Sequence, residues 1–151
     1  MIRNLSVYSS KKIPVNKVSI HSIISFLKKE LNFSVESLLY NFVNSDEIHR
    51  INKKYLKHDF TTDIITFNYS GKNDNLDGEI FISVDDALQN SKKFKVTLDN
   101  EILRLVIHGI LHMTGYDDVK PADKRKMKLE ENKLVKLFSK NFKGKITQYG
   151  K

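Results

Sequence analysis

Apolar side chains recur along this chain with two periods, and the switches between them outline its elements. Residues 2–8 (IRNLSVY) alternate loosely, as a short strand does. After Pro14, the positions Ile20, Ile23, Ile24, Leu27 and Leu31 fall mostly three or four apart and predict a helix with one buried face. VESLLYNFV, 35–43, reads as a buried strand. Asn44-Ser45-Asp46 offers capping side chains ahead of a short helical stripe of Ile48, Ile51 and Tyr55. The β-branched and aromatic residues of DIITF predict a strand from about Asp63 to Tyr69. GKNDNLDG follows as a hairpin loop, and GEIFISV, 78–84, as the next strand. Ser83 is placed to cap a helix that turns Ala87 and Phe94 inward.

Asp99 or Asn100 starts the next helix, EILRLVIHGILHMTG. Leu103, Val106, Ile107, Ile110 and Leu111 make it apolar enough to be central, and Gly115 suits its C-terminal cap. Pro121 opens a final helix carried by Met127, Leu134, Val135, Leu137 and Phe138. The pattern predicts an α+β fold in a single domain over residues 1–142. A mixed sheet of about four strands is packed with about five helices around one central helix. Residues 143–151 read as a basic C-terminal tail, frayed at its end.

Composition narrows this picture. The 151 residues include no cysteine, which excludes disulfides, Cys–zinc sites and thiol catalysis and fits a reducing cytoplasm. The N-terminus lacks the apolar core of a signal peptide, and no apolar run reaches the roughly 18 residues of a membrane span. The formal net charge is +8, which suits a polyanionic partner such as RNA. Residues 120–145 hold ten Lys or Arg against Asp123, Glu130 and Glu131. This basic stretch is either a solvated helix face or part of an RNA surface, and phosphate contacts would show as steep salt dependence.

The densest chemistry lies in HGILHMTGYDD, residues 108–118. His108 and His112 are four apart, so one helix face presents both rings to a single ion. Gly115 lets the chain turn back, which makes Asp118 the candidate third ligand, with Asp117 one residue out of register as the fallback. Three ligands leave positions open for water, as catalytic rather than structural sites do. Two histidines and a carboxylate suit one Zn²⁺, with Ni²⁺ or another divalent metal such as Fe²⁺ as alternatives. The spacing matches the metzincin pattern HExxHxxGxxH except at Gly109 and Asp118. Gly109 removes the glutamate that activates water in those proteases, which disfavours peptidase activity. No side chain is identifiable as a general base. His21 and His49 have no partner spacing and read as surface or boundary residues, and Tyr116 as a packing residue.

HGILHMTGYDD resembles the HGxLHLxGYDH motif of the YbeY family of bacterial endoribonucleases and rRNA maturation factors. INKKYLKHDFTTDIITF resembles that family's LNxxYRxKDxPTDVLSF, and LDGEIFIS its LGDIxIS, in the same order and spacing. The resemblance implies a metal-dependent hydrolase of single-stranded RNA, acting on the 3′ end of small-subunit rRNA and in ribosome quality control. The implied partners are rRNA and the ribosomal small subunit. Asp118 stands where the family has its third histidine, Leu56 where it has an arginine, and His58 where it has a lysine. Lys57 and His58 are therefore the candidate RNA contacts in place of that arginine. In DFTTDIITF, either Asp59, Thr61 and Thr62 satisfy loop backbone while Asp63 enters the strand, or their hydroxyls and carboxylates line the cleft facing the metal. A ribosome-assembly factor with a structural metal is the alternative reading of the same site.

Overall fold

A computed structural model describes residues 1–10, 12, 14–56 and 62–147. Among them lie four strands and five helices: β1 (Leu5–Ser9), α1 (Lys17–Leu31), β2 (Ser34–Val43), α2 (Ser45–Leu56), β3 (Ile64–Asn68), β4 (Asn75–Ser83), α3 (Val84–Phe94), α4 (Leu98–Met113) and α5 (Pro121–Asn141). The strands form one mixed sheet in the order β1-β2-β4-β3. β1 and β4 run parallel to β2, while β3 is the antiparallel edge strand, joined to β4 through the predicted hairpin loop. The α+β reading holds.

The sheet has two unlike faces because side chains alternate along each strand. Leu38, Tyr40 and Phe42 of β2, with Leu76, Ile80 and Ile82 of β4, point into the main core. They meet Ile20, Ile23, Ile24 and Leu27 of α1 and the apolar flank of α4 in the same cluster. Buried Tyr40 also donates a hydrogen bond to the carbonyl of Val106 at 3.0 Å, tying β2 to α4. The opposite face is covered in part by α2, whose Ile48 packs on Val43 and Ile65. α4 touches α1, α3, α5, β3 and β4, which is the central position its apolar sequence predicts.

Several local expectations are corrected. α4 starts at Leu98, because Thr97 caps it by accepting the Asn100 N–H; neither Asp99 nor Asn100 is the cap. Asp99 instead accepts hydrogen bonds from the N–H groups of Ile146 and Thr147 and from the Thr147 hydroxyl. Residues 145–147 are therefore not frayed. Ile146 is buried and Thr147 bridges to Val15. Phe94 does not face inward: it ends α3 beside the left-handed Lys95 and is 55% exposed, whereas Ala87 is fully buried as expected. Leu137 is also exposed, so α5 packs through Met127, Leu134 and Phe138. Ser83 caps α3 as predicted, accepting the Asp86 N–H. No helix among the described residues is long and apolar enough to cross a membrane.

Candidate metal centre

α4 carries both histidines on the flank turned away from the sheet core. His108 and His112 are half-buried, while their neighbours Gly109, Ile110, Leu111 and Met113 are buried. Gly109 faces the sheet rather than the cleft. A Cβ there would come within 2.9 Å of the Ile80 side chain and 3.4 Å of Ile64. A side chain at this position would have to displace the end of the Ile80 side chain, on the face of α4 turned to the sheet.

The end of α4 brings the third residue into place. Gly115 adopts φ +110°, a conformation open to glycine and strained for other residues. Its N–H bonds the His112 carbonyl and the next N–H, of Tyr116, bonds that of Leu111, the paired bonds of a Schellman ending. Asp117 then accepts from the N–H groups of Asp118 and Val119, so its carboxylate stabilises the loop. Asp118, and not the fallback Asp117, turns toward the rings. One of its oxygens lies 3.6 Å from Nε2 of His108 and 3.3 Å from Nε2 of His112. One ligand atom from each of the three residues lies within 4.8 Å of the others, a spread that one ion can gather.

Sequence reading missed the group that orients this set. Glu131 on α5 is 1% exposed and its carboxylate sits 2.7 Å from Nδ1 of His108. Burial pushes its pKa up, but hydrogen bonds from His108 and Arg104, with the charges of Arg104 and Lys128, outweigh that and hold it at about 2. An ionised carboxylate has only acceptors, so Nδ1 of His108 is the donor in this contact and Nε2 is the nitrogen turned toward Asp118. Arg104 holds the carboxylate from α4, donating to Glu131 at 2.8 Å and to buried Glu101 through two nitrogens at 2.9 and 3.1 Å. Burial alone would lower the Arg104 pKa, but the bonds to Glu101 and Glu131 raise it instead. An anionic partner on the far ring nitrogen is what metal-binding histidines usually have. The donor set and its support therefore fit a divalent cation.

The three candidate ligands open onto a cleft of about 490 Å³ whose other wall is β3 and the turn before it: Thr62, Asp63, Ile64, Thr66 and Asn68. Both readings of DFTTDIITF apply in part. Thr62 donates its hydroxyl proton to the Ile64 carbonyl and Asp63 is held by Asn90, yet both also line the cleft. Lys57, His58, Asp59 and Thr61 lie outside the described residues. Leu56 ends α2 with an exposed side chain. Tyr116 packs against the main core, and His21, buried at the boundary, accepts the Ile2 N–H.

The family model described as Endoribonuclease YbeY matches residues 6–139. The chain belongs to the YbeY family. An endoribonuclease YbeY of Chlorobium phaeobacteroides is 35% identical over 138 residues, covering 91% of this chain and 96% of that one. The YbeY of Phocaeicola vulgatus is 41% identical over 105 residues, 70% of this chain and 75% of its own. The fold agrees with the solution structure of TM1509 from Thermotoga maritima, at a TM-score of 0.64 and 25% identity over 93% of this chain and 91% of that one. Gly109, the His108–His112 pair and Asp118 all sit in the matched region.

Proposed function

We propose that this chain is a metal-dependent endoribonuclease that cuts single-stranded RNA, with His108, His112 and Asp118 holding one divalent ion. Membership of an endoribonuclease family makes it a hydrolase of RNA. The observation that carries the metal reading is the convergence of the three ligand atoms with His108 locked by a buried, ionised Glu131. Zn²⁺ suits two imidazoles and a carboxylate, and Ni²⁺ would fit the same donors. Such an ion would acidify water and neutralise the charge that builds on a phosphodiester during hydrolysis.

The protein's own part is positional. Glu131 fixes the ring of His108, Asp118 balances charge, and the polar wall of Thr62, Asp63, Thr66 and Asn68 faces the scissile strand across the cleft. The finer reading follows the family resemblance: the substrate is the 3′ end of small-subunit rRNA, the partner is the small subunit, and the setting is the cytoplasm. Lys57 and His58 remain the proposed RNA contacts beside Leu56. Purified, zinc-loaded protein is expected to cleave a single-stranded oligoribonucleotide and to spare the same sequence in a duplex. His108→Ala is expected to reduce cleavage at least about 100-fold. Equal rates for the two proteins would leave the metal as a structural element of a ribosome-assembly factor.

A further inference from the structure

The ligand cluster borders a second hollow, on the side away from β3. His108 and Asp118 line this hollow of about 500 Å³ as well as the cleft, so the two meet at the ligands. Its other walls are Arg104 of α4 and Pro121, Lys124, Arg125, Met127, Lys128 and Glu131 of α5. The charge is divided unevenly between the two sides. Among the described residues lining the β3 side there is no Lys or Arg, and Asp63 and Asp118 are its acidic groups. The α5 side carries four cations.

Those four cations do different work. Arg104 is committed to Glu101 and Glu131, and Lys128 donates to Glu131 at 3.1 Å. Lys124 and Arg125 make no side-chain hydrogen bond or ion pair among the described residues. They therefore face the hollow with unspent positive charge. No side chain caps the N-terminus of α5 beside Pro121, but Asp123 in its first turn offsets the helix dipole, so the attraction for an anion there rests on Lys124 and Arg125. Pro121 supplies an exposed apolar surface beside these groups, with buried Met127 behind it.

Resting on the nuclease reading above, we propose that this hollow seats the nucleotide adjoining the one at the metal ligands. Lys124 and Arg125 grip its phosphate, and its base lies on Pro121. The strand enters across β3 and leaves across the first turns of α5. Guidance of the strand thus comes from α5, while the α2 end carries Leu56.

The test is binding of a 2′-O-methyl single-stranded oligoribonucleotide, which keeps every phosphate and resists cleavage, to the zinc-loaded protein over a range of salt. Each phosphate contact on a single strand adds about 0.7 to the slope of log affinity against log salt. The Lys124→Ala/Arg125→Ala variant is expected to show a slope shallower by about 0.7 and affinity lowered by tenfold or more at low salt. Lys124→Arg/Arg125→Lys, which keeps both charges, is expected to retain the wild-type slope. Lys133→Ala/Lys140→Ala removes as much charge from the same helix outside the hollow and is expected to lose less than half as much. Equal losses in the two alanine pairs, or no loss in the first, would overturn the proposal. Wild-type cleavage is measured in parallel. A site-specific binding loss in a protein that does not cut RNA keeps this hollow and removes the nuclease reading, whereas cleavage with an unchanged slope removes the hollow alone.

Discussion

Glu131 and His108 share a single short contact, and it ties stability, pH and metal affinity together. The carboxylate is held at about 2, below its ordinary 4.5, so the ionised form favours the folded state. Its contribution is complete above pH 4.5 and is lost as pH falls toward 2. Metal-free wild type is therefore expected to lose stability more steeply over that interval than Glu131→Gln, measured by urea denaturation at a series of pH values. At neutral pH the same substitution frees the His108 ring and weakens its basicity. Zinc affinity is expected to fall by about 10- to 100-fold in competition with a chelating dye. An unchanged affinity would mean that Glu131 serves packing alone. Gly109 makes the complementary point at this scale, since its missing side chain is a condition of how closely α4 approaches Ile80.

At the scale of the element, α4 both contributes to the core and presents two of the candidate ligands. Its ending decides whether the third arrives. Gly115 at φ +110° lets the chain reverse within three residues of His112, and a Cβ there would also meet the Asn73 amide at 2.9 Å. Gly115→Ala is expected to cost about 1–2 kcal/mol in stability by chemical denaturation. It should also lower zinc affinity, because Asp118 would no longer be held against the rings. Wild-type affinity in a destabilised Gly115→Ala protein would show that Asp118 reaches the ion without this turn. The element limits were readable wherever a local period governs them. The start of α4 was misplaced because Thr97, Asp99 and Asn100 can all cap, and Asp99 is drawn away by a partner 47 residues distant. Spacing on α3 predicts Phe94 inward, yet α3 ends at that residue ahead of the left-handed Lys95, and the ring stays 55% exposed.

Across the whole molecule, the chain closes on itself through Asp99. This residue at the start of α4 receives two backbone N–H groups and one hydroxyl from Ile146 and Thr147, and Thr147 bridges to Val15 ahead of α1. The latch stands at the far end of α4 from His112. Asp99→Ala is expected to destabilise the protein by about 1–3 kcal/mol and to speed hydrogen exchange at Ile146 and Thr147 while leaving zinc affinity unchanged. Altered zinc affinity would mean that the latch sets the position of α4 at the ligands as well.

The sequence by itself determined what depends on neighbours within a few turns. The periods of apolar residues specified the strands and helices, and the spacing from His108 to Asp118 specified three candidate ligands, because all three lie within one helix end and its reversal. The order of the sheet, the role of Gly109 against Ile80 and the C-terminal latch were decided only by the tertiary structure. So were the links from Arg104 and Glu131 to His108. Glu131 lies 23 residues beyond His108 on a helix whose pattern marks it as one charge among many. Only the packing of α5 against α4 buries it, and burial among donors turns an ordinary surface carboxylate into the group that orients the site.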